Sequence, residues 1–202
     1  MIVDLIFGIR CLGPIPADHG YLLYSAVSRA VPEIHRQDGY GIHPIRGRQL
    51  GGRTLQLTDR SRLAVRTSAD HIAQFLPLAG KTLMLLDRRL QVGVPQVRPL
   101  VPAAALRSRL VTIKLKEAAE ASGDTAAEIF VTSLRQQLDA LGVSEEAQVH
   151  PGKRRTLRVK SKEVVGYEVV LECLTAEESI SVQEHGLGGR RHMGCGIFVL
   201  CK

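Results

Sequence analysis

The sequence predicts an α+β protein made of two tandem ferredoxin-like (RRM-like) domains, each with the element order β-α-β-β-α-β. Three observations favour this fold class. The 202 residues are enough for two domains of about 100 residues each. Apolar residues follow period 2 and then the helical period in the same order in both halves. A stretch with Pro95, Pro99 and Pro102 separates the two halves.

The first half, residues 1–94, begins with a strand and a helix. Apolar residues alternate from Val3 to Ile9 and the pattern stops at Gly13, which predicts the first strand. Helical spacing follows from Asp18, the expected N-cap, to Pro32. The other predicted elements are an extended segment over 39–45, a hairpin of strands 53–57 and 63–67 around a turn at 58–61, a helix that runs from its cap Ser68 to Leu76, and a strand over 82–86. The helices are expected to cover one face of the sheet.

The prolines predict a linker over residues 95–107, because each removes a backbone donor and restricts the residue before it. The second half, residues 108–202, repeats the order of the first. Its predicted elements are a strand over 109–114, a helix opened by a Thr125-x-x-Glu128 capping box and closed at Gly142, a hairpin of strands 155–159 and 164–171, a helix opened by a Thr175-x-x-Glu178 capping box, and a final strand over 197–200.

The composition favours an anionic partner and a cytoplasmic protein. The 27 Lys and Arg outnumber the 20 Asp and Glu, for a net charge of +7. The four cysteines form no pair or Cys/His cluster at zinc-binding spacing, which predicts reduced, mostly buried thiols and no metal. No signal peptide or membrane span is expected. With four Tyr, four Phe and no Trp, the chain lacks the aromatics of a sequence-reading RRM.

A glycine-rich loop precedes the last strand. It runs from Gly186 to Gly196 in the form G-h-G-x5-G-h-G, in which h is apolar. Its other two glycines in this pattern are Gly188 and Gly194, and its cationic side chains are Arg190, Arg191 and His192. Glycines let a backbone approach a ligand closely, and guanidinium groups with exposed amides bind phosphate. A phosphate-binding loop and a flexible turn are the two interpretations that this pattern leaves open.

A second basic feature lies on the predicted hairpin of the second half. Arg158, Lys160 and Lys162 alternate with other residues, so on a strand they share one face and form a positive stripe suited to an RNA backbone. An ordinary solvated edge strand explains the same charges equally well. Ser161 interrupts the stripe and offers a hydroxyl group to a phosphate or a ribose.

Two histidines leave the connection after the first predicted helix. An imidazole exchanges a proton near neutral pH, which makes His35 and His43 candidates for acid–base chemistry. His35 follows the helix in a loop, whereas His43 lies between Ile42 and Pro44 on an extended segment. His35 is the preferred candidate, although most single histidines are structural.

The glycine loop, the two ferredoxin-like halves and the histidine after the first helix together resemble the CRISPR repeat-processing endoribonucleases of the RAMP superfamily. In that family a histidine after the first helix is the usual general base, which this resemblance assigns to His35, with His43 as the runner-up. Some members place a serine on the second hairpin, comparable to Ser161. Others use a tyrosine and a lysine. Tyr24 fits the tyrosine, but no lysine precedes Lys81, so either Arg46 or Arg48 substitutes for it or no third group is needed.

The resemblance implies a metal-independent cut in precursor CRISPR RNA, within the repeat and at the base of its hairpin. The 2′-hydroxyl group attacks and leaves a 2′,3′-cyclic phosphate and a 5′-hydroxyl group, with no cofactor. The implied partners are the repeat RNA and other subunits of a CRISPR effector complex. Two alternatives stay open at this point: a non-catalytic RAMP subunit that binds guide RNA, and a plain RNA-binding module outside this family.

Overall fold

The computed structural model describes residues 1–36, 38–113 and 124–201 of the chain. The chain divides into two units, each with its own sheet and its own cluster of buried apolar side chains. The first unit consists of Met1–Pro99, Leu157–Lys162 and His192–Gly194, and the second of Leu100–Thr156, Glu163–Arg191 and Cys195–Lys202. Two short pieces of the second half of the sequence, Leu157–Lys162 and His192–Gly194, are thus grouped with the first unit. The predicted first domain, residues 1–94, does not contain them.

The sheet of the first unit is built around strand β1 (Ile2–Cys11). Its strands lie in the order β3 (Gly41–Ile42), β6 (Arg62–Ser68), β1, β8 (Arg88–Pro99) and β7 (Thr82–Leu85). Neighbouring strands are antiparallel. Strand β6 lies between β1 and β3, the two strands that the first helix connects, which is the split βαβ arrangement of a ferredoxin-like fold.

Helical segments cover the apolar face of this sheet. Helices α1 (Gly20–Ala30) and α2 (Ile72–Phe75) place Val27 and Phe75 in one buried cluster with Phe7 of β1. Ser68 caps the helical turn before α2 as predicted, because its hydroxyl group accepts a hydrogen bond from the amide of Asp70.

The predicted N-cap of α1 is wrong. The helix begins at Gly20 after His19, and no side chain caps it. Both ring nitrogens of His19 are engaged, since Nδ1 lies 2.9 Å from the Pro16 carbonyl oxygen and Nε2 accepts the amide of Ile45 at 2.9 Å. Asp18 instead accepts the backbone N–H of Arg158 at 2.8 Å. Its side chain therefore fixes a segment that is remote in sequence.

The predicted hairpin of strands 53–57 and 63–67 is also wrong, although both strands exist. Strand β5 (Thr54–Gln56) lies between β2 (Ile15–Pro16) and β4 (Arg48–Leu50) in a separate three-stranded sheet. Strand β6 pairs with β1 and β3 instead. Alternation of apolar residues identifies a strand but carries no information on its partner.

The predicted linker begins inside a strand. Strand β8 continues to Pro99, where Pro95 lies opposite Phe7 and Pro99 lies opposite Val3 of β1. Strand β7 pairs only with residues 88–91 of β8, so within the described residues no strand covers the other side of 93–99. Proline lacks an N–H group and is tolerated at such an edge. The fourth strand of the fold is therefore β8, and the predicted strand over 82–86 is its hairpin neighbour β7.

The second unit repeats the arrangement. Its sheet has the order β10 (Gln148–Val159), β11 (Lys162–Glu172), β9 (Leu106–Val111) and β12 (Val199–Leu200). Helices α3 (Asp124–Ala140) and α4 (Ala176–His185) complete the β-α-β-β-α-β order. Leu134 and Phe198 are fully buried in its apolar cluster. The predicted tandem ferredoxin-like fold is confirmed.

Two of the local signals predicted in this unit are confirmed. Thr175 accepts the amide of Glu178 and the Glu178 carboxylate accepts the amide of Thr175, so the predicted capping box is present. Hydrogen bonds from the amides of Ser144 and Thr175 lower the pKa of Glu178 to about 2. Gly142 has a φ of +75°, which suits the end of α3. The predicted start of α3 at Thr125 is wrong, because Asp124 is already helical. The predicted strand end at Lys114 and the side chain of Thr125 lie outside the described residues.

The prediction of mostly buried thiols fails for two cysteines. Cys195 is buried and Cys11 is half-buried, but Cys173 and Cys201 are exposed. Cys173 lies just after β11 with a φ of +61°, and Cys201 lies just after β12. Within the described ranges, no helix combines the length and the apolar composition that crossing a membrane requires.

Candidate active site

His35 lies on a helical turn that directly follows α1. Pro32 opens this turn, Pro32–Arg36, after the end of α1 at Ala30. The preceding Ile34 is fully buried, which anchors the turn and leaves the side chain of His35 exposed. Nδ1 of His35 lies 3.1 Å from the hydroxyl oxygen of Tyr24, a residue of α1. The two rings meet edge to face, with centroids 5.7 Å apart and planes at 79°.

The direction of the hydrogen bond between Tyr24 and His35 decides whether Nε2 of His35 can act as a base. If Nδ1 carries the proton and donates to the Tyr24 oxygen, Nε2 keeps a lone pair and can accept a proton from a substrate. If Tyr24 donates to Nδ1, the neutral ring carries its proton on Nε2 and cannot act there as a base. Tyr24 therefore orients the ring in either case, and general base chemistry requires the first tautomer.

A second imidazole, that of His192, also packs against the ring of Tyr24. The centroid of the His192 ring is 4.5 Å from that of Tyr24 and 6.5 Å from that of Tyr40. Tyr40 is buried against Phe75, and this burial, with the nearby Tyr24 and Asp38, raises the pKa of Tyr40 well above its ordinary value. Tyr40 is thus a neutral phenol at physiological pH. The site contains two histidines and two tyrosines from α1, the turns that follow it and the glycine loop.

Two glycines permit His192 to reach this position. A methyl group at Gly20, the first residue of α1, would overlap the carbonyl oxygen of Met193. Gly194 has a φ of +85°, and a Cβ there would lie 2.9 Å from Cγ of Pro44. The sequence motif includes Gly194, but Gly20 has no sequence signal apart from its place at the start of a helix.

His43, the runner-up, is held by a buried ion pair. Its Nε2 lies 3.2 Å from Oδ1 of Asp4, and Arg66, only 1% exposed, donates to both oxygens of the same carboxylate at 2.7 and 2.9 Å. Burial disfavours the imidazolium form and lowers the pKa of His43, although Asp4 opposes this shift. Burial alone would raise the pKa of Asp4, but hydrogen bonds from Arg66 and His43 outweigh it and hold that pKa well below its ordinary value. This arrangement favours a structural role for His43.

The amides of the glycine loop are largely used by the protein itself. The amide of Gly188 donates to Oε1 of Gln137 at 2.7 Å, that of Gly189 to the Thr112 carbonyl oxygen at 2.9 Å and that of Gly196 to the Leu110 carbonyl oxygen at 2.8 Å. The amides of Gly186, Leu187 and Cys195 also have backbone acceptors. The expectation that these amides are open to a phosphate is therefore wrong for six residues of the loop.

The glycines of the loop allow close packing instead. A Cβ at Gly186 would overlap the Gly196 carbonyl oxygen, one at Gly188 the Thr112 carbonyl oxygen, and one at Gly196 the Leu187 carbonyl oxygen. All three have positive φ angles between +65° and +72°. Of the loop cations, Arg191 donates to the Glu184 carbonyl oxygen at the end of α4 at 2.8 Å. Arg190 is half-buried and has a φ of +62°.

The positive stripe on the hairpin does not have the predicted geometry. Arg158 belongs to β10 and Lys162 to β11, while Lys160 and Ser161 form the turn between them. Lys160 has a φ of +56°. The three cations therefore surround a hairpin tip instead of sharing one face of a strand, because the chain reverses at Lys160. All three side chains and that of Ser161 are exposed.

The structure groups some of the predicted residues and separates others. His35, Arg158, Lys160, Ser161, Lys162, His192 and Gly194 belong to the first unit, and Gly186, Gly188, Arg190, Arg191 and Gly196 belong to the second. Arg46 is exposed in the first unit. Among the residues that the structure describes, no group of three or more His, Cys, Asp or Glu side chains could hold a metal ion.

Solved structures share the fold of the whole chain. A structure described as the CRISPR associated protein Cas6 superposes with a TM-score of 0.73 at 13% identity and covers 100% of both chains. A second, described as an RAMP protein binding different RNA substrates, gives a TM-score of 0.70 at 14% identity over 99% of this chain and 100% of the other. The tandem ferredoxin-like fold of this chain is thus shared with solved structures described as CRISPR-associated and RAMP proteins.

Sequence comparison narrows this class to one family. The Cas6 family model, described as Cas6 Crispr, matches residues 3–202. Over 201 residues the chain is 40% identical to the CRISPR-associated endonuclease Cas6 of Myxococcus xanthus (strain DK1622), which covers 98% of this chain and 81% of the relative. The chain belongs to the Cas6 family.

Proposed function

We propose that this protein is a metal-independent endoribonuclease that cleaves precursor CRISPR RNA within the repeat and so produces the mature guide RNA. Membership of the Cas6 family and the name of the Myxococcus relative as an endonuclease support this activity. The observation that carries the chemistry is the hydrogen bond between Tyr24 and an exposed His35, with His192 against the same tyrosine.

In the proposed reaction His35 is the general base. Nε2 removes the proton of the 2′-hydroxyl group while Nδ1 donates to the Tyr24 oxygen, and the 2′-oxygen attacks the adjacent phosphorus. The bond between phosphorus and the 5′-oxygen breaks. His192, in its imidazolium form, is the proposed donor of the proton that the 5′-oxygen takes up. The products are a 2′,3′-cyclic phosphate and a 5′-hydroxyl group, so the atoms and charges balance without a cofactor.

The proposed RNA contacts come from both units. Arg158, Lys160 and Lys162 surround the exposed hairpin tip in the first unit, and there Ser161 is proposed to donate its hydroxyl group to the RNA near the cut. Arg190 and Arg191 are the proposed phosphate contacts of the glycine loop, with Gly186, Gly188, Gly194 and Gly196 shaping the backbone that carries them. Backbone contacts of this kind give affinity without reading bases.

The decisive experiment is incubation with the cognate repeat RNA in excess EDTA, followed by mass spectrometry of the product ends. We expect a single cut, a cyclic phosphate and a 5′-hydroxyl group. An RNA with a 2′-deoxy nucleotide before the cut should bind and stay intact, since it lacks the nucleophile. Absolute dependence on Mg²⁺ or a 5′-phosphate product would contradict the proposal. Tight binding without any cut would identify a non-catalytic RAMP subunit of an effector complex instead.

A further inference from the structure

One segment of the first unit holds a large part of the positive charge of the protein. Residues 43–62, from the end of strand β3 to the first residue of strand β6, contain five arginines and a single aspartate, a surplus of four in a chain whose net charge is +7. The arginines are Arg46, Arg48, Arg53, Arg60 and Arg62. All five side chains are exposed. Neither the glycine loop nor the hairpin tip includes any of them.

The three-stranded sheet of this segment has one apolar and one polar face. Leu55 of β5 pairs with Ile15 of β2, and both side chains are buried. Arg48 of β4 pairs with Gln56 of β5 in the alternate position, so these two side chains lie on the opposite, outward face. Arg46 precedes Arg48 by two residues along the chain. It lies just before β4, and its side chain is exposed as well.

A hydrogen-bonded loop adds two more arginines beside this face. Ser61 is buried, and its hydroxyl group donates to the Arg46 carbonyl oxygen at 2.6 Å and accepts the amide of Thr58 at 3.0 Å. The loop that carries Arg60 and Arg62 is thus fixed next to Arg46. Arg62 also donates to the carbonyl oxygens of Asp59 and Ser61 at 2.6 and 2.7 Å, which orders its guanidinium group.

The fifth arginine lies at the other end of the sheet. Arg53 occupies the turn between β4 and β5 with a φ of +57°, and its carbonyl oxygen accepts the amide of Ala17 at 2.8 Å. Three residues of strand β4 rise about 3.3 Å each, so this turn lies about 10 Å along the strand from Arg48. The arginines therefore extend along the sheet and do not form a single point of charge.

The charges of this surface are not neutralised by acidic side chains. In the described ranges of the chain, none of the five arginines forms an ion pair, whereas Arg66, Arg107, Arg135 and Arg155 each pair with a carboxylate. Unpaired arginines on a firm backbone bind phosphate well, because the guanidinium fork matches two phosphate oxygens. The segment contains no Phe, Tyr or Trp, so it offers no platform for stacking bases.

We propose that this arginine surface, formed by strands β2, β5 and β4 and the loop 58–62, is a second RNA-binding surface that holds the phosphate backbone of the substrate without reading its bases. This inference rests on the proposed function, because it assigns the ligand of that activity to a new part of the molecule. The surface contributes to affinity and to its salt dependence, and it takes no part in the cut.

The test replaces Arg53 and Arg60, two exposed arginines of this surface, together by glutamine. The matched control is the double variant Arg89→Gln with Arg98→Gln, which removes the same charge from exposed positions of β8 in the same unit. Binding of the 2′-deoxy repeat RNA is measured over a range of salt concentrations. Each phosphate contact contributes about 0.7 to the slope of log K against log salt on single strands and about 0.9 on DNA duplexes.

We expect the slope of the arginine-surface variant to fall by about 1.4 to 1.8 and its affinity near physiological salt to fall about tenfold. The control should keep the wild-type slope. The rate of the cut at saturating protein should be unchanged in both variants. Arg53→Gln alone, in an exposed turn, should give half of the change in slope. This single variant replaces the double variant in the test if the double variant does not fold.

Wild-type slopes in both double variants would overturn the inference and leave the proposed function intact. Conversely, a protein that does not cut RNA but shows the reduced slope would support the arginine surface and contradict the nuclease. A slope that falls equally in both double variants would indicate a general effect of net charge and would also overturn the inference.

Discussion

The hydroxyl oxygen of Tyr24 lies 3.1 Å from Nδ1 of His35, and this contact orients the exposed imidazole on the turn directly after helix α1. The hydrogen bond leaves Nε2 as the nitrogen available to a substrate. The same tyrosine packs against His192. One phenol thus contacts two imidazoles of the candidate active site.

Removing the Tyr24 hydroxyl group should weaken catalysis moderately. We expect Tyr24→Phe to slow the cut about two- to tenfold, because a net hydrogen bond is worth about 0.5–1.5 kcal/mol. The aromatic contact with His192 stays in this variant, so RNA affinity should not change. The measurement is the single-turnover rate at saturating protein, with Tyr21→Phe on the same helix as control. A loss of affinity equal to the loss of rate would indicate that Tyr24 binds RNA and does not orient His35.

Removing the His35 imidazole should have the largest effect on the rate. We expect His35→Ala to slow the cut by about 10² to 10⁴, the usual contribution of a positioned acid–base group, with RNA affinity close to wild type. His43→Ala should affect the rate much less, since its ring contacts Asp4. Single-turnover assays on both variants, each checked for folding by circular dichroism, make the comparison. Normal cleavage by a folded His35→Ala variant would move the general base elsewhere.

Alanine should destabilise the fold at position 196 of the glycine loop but not at position 189. Gly196→Ala places a Cβ against the Leu187 carbonyl oxygen at a φ of +65°, whereas a Cβ at Gly189 meets nothing within 4 Å. We expect Gly196→Ala to lower the free energy of unfolding by about 1–3 kcal/mol or more and Gly189→Ala to leave it nearly unchanged. Urea denaturation gives both values. Equal effects of the two substitutions would contradict the packing role of the glycine.

Folding stability should fall as the pH drops from 7 to 5, and His43 should contribute to this fall. The folded protein holds the pKa of His43 below the ordinary value of about 6.5, so protonation favours the unfolded chain. The stability that neutral His43 provides is complete above that value and is lost below it. We expect His43→Gln to flatten the curve of unfolding free energy between pH 7 and 5. His71→Gln in the same unit is the control, and a variant curve as steep as that of the wild type would exclude His43 as the cause.

Local signals predicted the elements of this chain well because their causes lie within a few residues. The capping box of Thr175 and Glu178 and the end of α3 at Gly142 are examples. The partners of strands were not predictable in this way. Strand β5 pairs with Ile15 and Pro16, some forty residues earlier in the chain, and a period-2 pattern contains no trace of that choice. Pro95 and Pro99 suggested a linker, but they lie in strand β8, whose uncovered edge tolerates proline.

The candidate site was predictable in its residue types and not in its contacts. His35 was predicted as the candidate base from its position after a helix, whereas His192 was predicted only as a phosphate-binding cation of the glycine loop. The acceptors of the loop amides, such as Gln137 and the Thr112 carbonyl group, come from other elements, so the sequence suggested phosphate binding where the structure has internal hydrogen bonds. The arginines between β3 and β6 gave no motif, and a count of local net charge along the chain is the signal that would have found them.

The prolines of strand β8 bear on how this protein behaves at high concentration. Pro95, Val97 and Pro99 face alternate residues of β1 in the same register, so their backbone nitrogens point the same way. On the uncovered side of 93–99, two of these three positions lack the N–H group that an added strand would need. The side chains of Val94 and Val97 in this stretch are 78% and 53% exposed, and exposed apolar side chains at a free edge favour the addition of another strand. Pro95 and Pro99 therefore protect the chain against edge-to-edge association with copies of itself.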